Sequence, residues 1–435
     1  MDVVIIGGGA AGMSAASKAK RVNPDLNVIV LEKGKYVSYA ECGIPYFLEG
    51  VVPSINDLIH YRIEEFTKNR GISVRTGIEV LGINRDERTL DLDNGERMRY
   101  DRLVIATGVS PKIPENLQFE GATGLRSLES ASAIQEELKS ASSVGIIGDG
   151  VLGIELAASL VQRGLKVTVY SRHNALFRHL GEFVGAEFRK YFESKVRVIK
   201  NSVIEKVARN GSDFEVHHER MQDKYDLVLF ATGTYPNTDL AKKCSIITDE
   251  RGLIVVNEKM QSSDPDIYAA GDCATTINIV TGKKDWHPLA QISNKMGRVA
   301  GSNIGGSVMT FPGSIGTTLV KVFDYEIGFT GLNLDEALKA GFAAKSVNIK
   351  AKSRANYYPG GSDVFLSLVY DTRTKRILGA QVVSEDGGAW RLNTLAVAVQ
   401  NKMTADDLFY TDLGYTPPFG PVWDPIIIAA DSAMK

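Results

Sequence analysis

Val3-Val4-Ile5-Ile6 is an unbroken apolar run, the pattern of a strand buried on both faces rather than one shared between core and solvent. Glycines follow at Gly7-Gly8-Gly9-Ala10-Ala11-Gly12, then small and basic residues at helical spacing from Ala10 to Val22. A second apolar run, Val28-Ile29-Val30-Leu31, ends at Glu32. The succession predicts strand, tight turn, helix and parallel strand. It recurs at Val144-Gly145-Ile146-Ile147 and Gly148-Asp149-Gly150-Val151-Leu152-Gly153, with a helix through Leu160 and a strand over Lys166–Tyr170. Single apolar strands are predicted at Leu103-Val104-Ile105, at Leu227-Val228-Leu229-Phe230 and at Ile267-Tyr268-Ala269. Beyond residue 313 the period changes. Thr317–Phe323, Val364–Tyr370 and Ile377–Ser384 read as partly alternating strands, and Ala389–Lys402 as a helix with aliphatic residues at i, i+3 and i+4.

The fold expected is α/β, with two Rossmann-like units and a C-terminal α+β module. In each unit the glycines allow a tight turn and let backbone N–H groups approach a pyrophosphate at a helix N-terminus. Glu32 is placed to accept both hydroxyls of an adenosine ribose. The second unit has Ser171-Arg172-His173 where such an acid would stand. Arg172 and Ser171 suit a 2′-phosphate, so NADPH is expected over NADH; with Arg172 stacked on adenine instead, both coenzymes would serve. Asp272, after Gly271, can accept a hydrogen bond from a flavin ribityl hydroxyl.

Composition narrows the class. The 435 residues suggest roughly three domains at about 150 residues each. A net charge of −2 gives no general pull toward nucleic acid or an anionic membrane. No apolar run approaches the roughly 18 residues of a membrane span, and the N-terminus shows no signal-peptide pattern. The cysteines, Cys42, Cys244 and Cys273, are odd in number and far apart, which predicts a reducing cytoplasm. No cluster has metal-ligand spacing, so no metal is expected. Cys42 lies in Ser38-Tyr39-Ala40-Glu41-Cys42-Gly43-Ile44-Pro45-Tyr46, just past the first glycine unit. That position suits a thiol exchanging electrons with a cofactor; the plain alternative is a buried structural cysteine.

The order of landmarks resembles the two-dinucleotide flavoprotein disulfide reductase family over essentially the whole chain. They are a glycine unit, Ala106-Thr107-Gly108, a second glycine unit, Ala231-Thr232-Gly233 and Tyr268-Ala269-Ala270-Gly271-Asp272. The resemblance implies an FAD domain in residues 1–110 and 241–313, an NAD(P)H domain in 111–240 and a dimerisation domain in 314–435. It implies FAD contacts at Gly7, Gly9, Ala10, Ala11, Gly12, Glu32, Lys33, Thr107, Gly108 and Asp272. It implies coenzyme contacts at Gly148, Gly150, Gly153, Ser171, Arg172, His173 and Gly233. Glu155 would order hydride transfer, unless it is an ordinary helix-surface residue.

Members with an internal dithiol carry two cysteines separated by four residues, or CxxC. Neither is present here, and no histidine lies beyond His287. Cys42 therefore resembles the single-cysteine branch of coenzyme A-disulfide reductases, NADH oxidases and NADH peroxidases. Oxidase-like members place a histidine where this chain has Ala10, and the residues around Cys42 look closer to the CoA-disulfide form. The resemblance implies CoA contacts at Ser14, Lys18, Arg21, Ser38, Glu41, Arg70 and Asn294. Ser14, Lys18 and Arg21 share one helix face, which suits the CoA phosphates or is simply solvated. Glu41 and Asn294 depart from relatives that have an amide and a histidine, and Glu41 tends to raise the thiol pKa. Asn356-Tyr357-Tyr358-Pro359-Gly360 and Gly414-Tyr415-Thr416-Pro417 resemble two tyrosine motifs that reach the partner subunit's active site. Tyr357 and Tyr415 would donate hydrogen bonds to a leaving thiolate, or would simply pack a dimer interface, and Tyr358 would line the substrate site. The implied enzyme is a homodimeric flavoprotein reducing CoA disulfide with NADPH through FAD and a Cys42–CoA mixed disulfide. The alternatives are an NAD(P)H oxidase, an NAD(P)H sulfur or polysulfide reductase, and, less well supported, an electron-transfer reductase for a small redox protein.

Overall fold

The computed structural model describes residues 1–117, 124–173, 179–211 and 213–435. In chain order the strands that build its main sheets are β1 (Asp2–Ile6), β2 (Asn27–Glu32), β3 (Ile72–Thr76), β4 (Arg102–Ile105), β5 (Ser143–Ile147), β6 (Lys166–Tyr170), β7 (Arg197–Ile199), β8 (Leu227–Phe230) and β9 (Ile267–Ala269). They are followed by β10 (Thr318–Val322), β11 (Tyr325–Gly331), β12 (Ala344–Lys352), β13 (Asp363–Asp371) and β14 (Ile377–Ser384). The helices used below are α1 (Ala10–Val22), α2 (Ile44–Glu49), α3 (Val151–Gln162), α4 (Ala290–Ile304), α5 (Gly388–Gln400) and α6 (Pro425–Met434).

The first sheet is parallel, in the order β9-β4-β1-β2-β3, and the second is parallel, in the order β7-β6-β5-β8. Each has an antiparallel three-stranded meander between its third and fourth strands in sequence, over residues 80–99 and 204–225. The third sheet is antiparallel, in the order β10-β11-β14-β13-β12. The apolar runs fall where both faces are covered: Val3, Val4 and Ile5 are fully buried. β13 and β14 were expected to alternate, yet nearly every residue in them is buried. Helices α5 and α6 cover one face of this sheet, and residues 182–193 of the second unit pack on it through Phe183–Phe365 and Tyr191–Tyr325 ring contacts. The edge strand β12 mixes Lys345, Asn348, Lys350 and Lys352 with small and apolar residues, and β11 carries two glycines; neither pattern announced a strand in the sequence. Arg391 on α5 is fully buried and meets the Asp424 carboxylate at 2.7 Å, while Asp424 Oδ1 accepts from Ile426 N at the start of α6. Among the described residues no helix is long and apolar enough to cross a membrane, and no group of acidic, histidine or cysteine residues is placed to hold a metal ion.

Helix α1 buries Ala11, Gly12, Met13, Ala15, Ala16 and Ala19 against β1 and α4. The α1–α4 contact is backbone on backbone. A Cβ on Gly297 would stand 2.1 Å from Ala11 O, and one on Gly301 2.2 Å from Ala15 O. Gly297→Val is therefore expected to force the helices apart, at a cost of about 3 kcal/mol. The checks are the thermal midpoint and the flavin content of purified protein; both should fall, and an unchanged pair would contradict this packing.

Candidate active site

The two glycine turns repeat one geometry. Gly7 and Gly148 have φ of +107° and +117°. A Cβ there would meet Ala106 O at 2.3 Å and Ala231 O at 2.2 Å, so each turn is pressed onto its Ala-Thr-Gly segment. A Cβ on Gly12 or Gly153 would lie 1.9 or 2.2 Å from the carbonyl oxygen of Gly7 or Gly148, which seats the helix tightly on the turn. The middle glycines, Gly9 and Gly150, have nothing within 4 Å of a would-be Cβ. They precede α1 and α3 with no side-chain cap, and neither first turn holds an acid. Free first-turn N–H groups with open space above them fit a dinucleotide pyrophosphate at both turns.

Around the first turn, Ala10 and Ala11 open α1, and Glu32 ends β2 with its carboxylate accepting from Gly8 N and Gly34 N, both at 2.7 Å. Lys33 beside it is exposed. Thr107 Oγ1 donates to Asn237 O at 2.5 Å, Asn237 Nδ2 donates to Thr107 O at 2.9 Å, and Asn237 N donates to Gly108 O at 3.0 Å. Lys112 N donates to Gly233 O at 2.8 Å, so the two Ala-Thr-Gly segments are joined. At the second unit, Ser171 is fully buried and donates to Asp149 Oδ2 at 2.7 Å, turned inward rather than toward a 2′-phosphate. Arg172 and His173 are exposed.

Cys42 sits in the single 3₁₀ turn Glu41–Gly43 that leads into α2. It is exposed, whereas Cys273 is fully buried and Cys244 is partly so; none of the three is in a disulfide. One turn on from Cys42, Tyr46 donates to Glu155 Oε1 at 3.1 Å, which ties the cysteine segment to α3 of the second unit. Arg126 belongs to no sequence motif, yet its guanidinium lies 3.0 Å from Glu41 and 3.1 Å from Asp272. Asp272 Oδ1 also accepts from Ser293 Oγ at 2.7 Å. Neighbouring protein strips enough water from Cys42 to push its thiol pKa up; Glu155 and Glu41 push it further, and Arg126 opposes them. Glu41 itself is held above the usual carboxylate range by burial, which outweighs Arg126. The site thus gathers three carboxylates against one guanidinium and favours an uncharged sulfur, a thiol or a disulfide, over a thiolate.

The substrate residues inferred from the sequence divide into two groups. Ser14, Lys18 and Arg21 lie on the unburied side of α1 with Ser17. Asn294 and Arg70 are brought to that side: Ser14 Oγ donates to Asn294 Oδ1 at 2.5 Å, and Arg70 Nη1 donates to Ser17 Oγ at 3.1 Å. Arg70 is braced by the Tyr61 and Phe66 rings at 4.4 and 4.7 Å. Ser38 adopts φ +52° where the chain turns toward Cys42, and Ser38 N donates to Gly8 O at 2.9 Å. Tyr357, Tyr358 and Tyr415 form a second group on the C-terminal module. The Tyr357 and Tyr415 hydroxyls are 3.4 Å apart, and among the described residues no hydrogen bond or ion pair joins this group to Cys42.

Burial raises the Glu155 pKa from 4.5 to about 7, with the Tyr46 hydrogen bond opposing, and Tyr46 in turn is pushed up to about 12 by burial and Glu155. Between those two carboxyl values the folded chain holds a proton that the unfolded chain releases. The Glu155 contribution to stability is therefore whole below pH 4.5 and lost as pH rises through about 7. Glu155→Gln should shrink the drop in thermal midpoint between about pH 5 and pH 8. A drop as large as in the parent protein would remove Glu155 as its source.

Residues 1–297 match the model of the pyridine nucleotide-disulphide oxidoreductases, and residues 317–425 match that of the dimerisation domain of the same enzymes. A CoA-dependent NAD(P)H sulfur oxidoreductase of Pyrococcus furiosus is 41% identical over 444 residues, spanning 98% of this chain and 98% of the relative. A coenzyme A disulfide reductase of Staphylococcus aureus is 30% identical over 430 residues, spanning 96% of each. Among solved structures, a NAD-dependent persulfide reductase from A. fulgidus covers 100% of this chain and 83% of its own, at 36% identity and a TM-score of 0.96. With its two glycine turns, its lone exposed thiol and its C-terminal module accounted for, the chain belongs to the pyridine nucleotide-disulphide oxidoreductase family, enzymes for which FAD and NAD(P)H are the typical cofactors.

Proposed function

We propose that this enzyme reduces a sulfur–sulfur bond in a coenzyme A-linked disulfide, persulfide or polysulfide, using Cys42 as its one redox-active sulfur. The observation that carries the reading is the exposed, unpaired Cys42, in a segment whose Ser38 N bonds the first glycine turn at Gly8 O, together with the face of α1 after that turn, which presents Ser14, Lys18 and Arg21 with Arg70 and Asn294. Lys18, Arg21 and Arg70 suit a ligand with several phosphate charges, and Cys42 suits its thiol end. Flavin and nicotinamide, held at the two glycine turns, would supply one electron pair per turnover. Cys42 starts in a mixed disulfide with coenzyme A; the electron pair opens that bond, and coenzyme A leaves as a thiolate that takes up a proton. The Cys42 thiolate then attacks a second CoA disulfide and expels its other half, which restores the mixed disulfide. One NAD(P)H, one proton and one CoA disulfide give NAD(P)⁺ and two CoA thiols. With CoA persulfide the same electron pair yields one CoA thiol and hydrogen sulfide. The sulfur-reductase reading is favoured by the activities of the P. furiosus and A. fulgidus relatives, and the disulfide reading by that of the S. aureus relative. Ala10 offers no acid or base over the first turn, which disfavours an oxidase. Arg172 supports NADPH as donor, but Ser171 adds nothing to it. Three free cysteines suit a reducing cytoplasm.

Tyr357, Tyr410, Phe419, Val422 and Trp423 are each at least 60% exposed on the C-terminal module, an apolar surface of the kind that marks an interface. We infer a homodimer in which the Tyr357–Tyr415 pair of one protomer serves Cys42 of the other, each hydroxyl donating to the departing thiolate.

Cys42→Ser should lower turnover with CoA disulfide and CoA persulfide by at least about a thousandfold while NAD(P)H-to-ferricyanide turnover continues. Mass spectrometry of the denatured parent protein should show a coenzyme A adduct on Cys42; wild-type turnover in Cys42→Ser, or no adduct, would defeat the thiol reading. The shared site is tested by co-expressing Cys42→Ser with the double variant Tyr357→Phe, Tyr415→Phe. Random pairing gives intact sites only in hybrid dimers, so about one quarter of parental disulfide activity should return. No recovery would assign the tyrosines to their own chain or to packing.

A further inference from the structure

The two glycine turns correspond residue for residue through their strand registers. Ile6 pairs with Leu31, and Ile147 pairs with Tyr170. Gly7 N donates to Leu31 O at 2.8 Å, and Gly148 N to Tyr170 O at 3.1 Å. Gly8 therefore corresponds to Asp149, and Glu32 to Ser171. In the first unit the carboxylate stands on the strand end, where Glu32 Oε2 accepts from Gly8 N at 2.7 Å. In the second it stands on the turn, where Asp149 Oδ2 accepts from Ser171 Oγ at 2.7 Å. A carboxylate joins the same pair of positions in both units, but the acid has changed sides and its donor is a backbone N–H in the first and a side-chain hydroxyl in the second. The linear pattern put no acid at the end of the second strand; the folded chain brings one to that strand end from the glycine turn, one residue before Gly150.

We propose that Asp149 selects the coenzyme. Its carboxylate accepts the 2′-hydroxyl of the NADH adenosine ribose and sets a negative charge against the 2′-phosphate of NADPH, which the exposed Arg172 offsets. Ser171 is a positioning residue whose buried hydroxyl fixes the Asp149 side chain. Both coenzymes are therefore used, with Asp149 and Arg172 pulling the preference in opposite directions. The proposal rests on the second turn binding the nicotinamide coenzyme and does not depend on which sulfur compound is reduced.

The test is kcat/KM for NADPH and for NADH in ferricyanide reduction by the holoenzyme, an assay that needs the flavin and the coenzyme but not Cys42. Asp149→Asn should raise the NADPH/NADH ratio at least about tenfold, the scale of one charge-assisted hydrogen bond, mainly through KM. Arg172→Ala should lower the ratio by a similar factor. Ser171→Ala, which keeps the acid but frees it, should move the ratio the same way as Asp149→Asn by a smaller amount, and it decides the matter if Asp149→Asn does not retain flavin. Equal losses with both coenzymes, or a ratio within twofold of the parent at parental flavin content, would overturn the proposal. A parent protein that reduces ferricyanide with neither coenzyme would instead remove the coenzyme reading of the second turn.

Discussion

Helix α1 meets the first sheet at its N-terminus and α4 along its length, and at both contacts backbone touches backbone. Gly12 lets the helix start directly on the Gly7 carbonyl, while Gly297 and Gly301 let α4 lie against the carbonyls of Ala11 and Ala15. No side chain fits at these points, so the helix has almost no freedom to shift or rotate. Two consequences follow. Its first-turn N–H groups stay uncapped and point at the open space over Gly9, which makes an anion site without any basic side chain. Its remaining side is fixed in orientation, so Ser14, Ser17, Lys18 and Arg21 are presented along one surface and receive Asn294 and Arg70. One helix thus presents free N–H groups at its end and a polar, cationic flank along its side, and neither would keep its place if the glycine contacts loosened.

The electrostatics around Cys42 run against the usual means of activating a thiol. Reactive cysteines are ordinarily served by nearby cations or a helix N-terminus that lower the pKa. Here burial raises it first, Glu155 and Glu41 raise it further, and among the described residues the one guanidinium that opposes them, Arg126, is shared with Glu41 and Asp272. A permanently charged sulfur would be disfavoured in such a place, while a disulfide sulfur has no charge to solvate. The surroundings therefore suit a sulfur that spends its time covalently bonded and becomes a thiolate only while electrons are arriving. Glu155, with a pKa near neutrality, can accommodate that transient charge by keeping its proton.

Much of this was legible in the chain because it is local. The apolar runs, the glycine spacing and the helix after each turn lie within about 30 residues, where periodicity and backbone sterics decide the outcome. The helix expected at Ala10–Val22 and the strands at Lys166–Tyr170 and Ile377–Ser384 have those very bounds. What escaped is non-local. Arg126 follows Leu125 in no recognisable motif, and it becomes part of the site only because the fold brings it to Glu41, 85 positions away, and to Asp272. Tyr46 closes the cysteine segment with no role assigned to it in the linear pattern, yet its hydroxyl reaches Glu155 across the boundary between the two units. Asp149 was visible inside its glycine turn, but its partner could be named only once the strand register was known. The burial of β13 on both faces likewise depends on a helix from another part of the chain.

An internal dithiol relay keeps both of its sulfurs in one polypeptide and can be sealed from solvent. A single sulfur cannot work that way: its second atom must arrive from outside, so it needs an opening, and reduced flavin beside an opening is exposed to side reactions. Cys42 and the Tyr357–Tyr415 pair are both exposed in one protomer, and each lacks what the other has. Among the described residues carboxyl groups face Cys42, only Glu155 of them with a pKa near neutrality, and no hydrogen bond or ion pair joins the phenols to that site. Under the dimeric reading the two exposures close on each other, and the phenols add neutral donors to the carboxylate-rich site. On this view dimerisation is part of how a one-cysteine site is made selective, because the protomer supplies the sulfur and its partner supplies the lid.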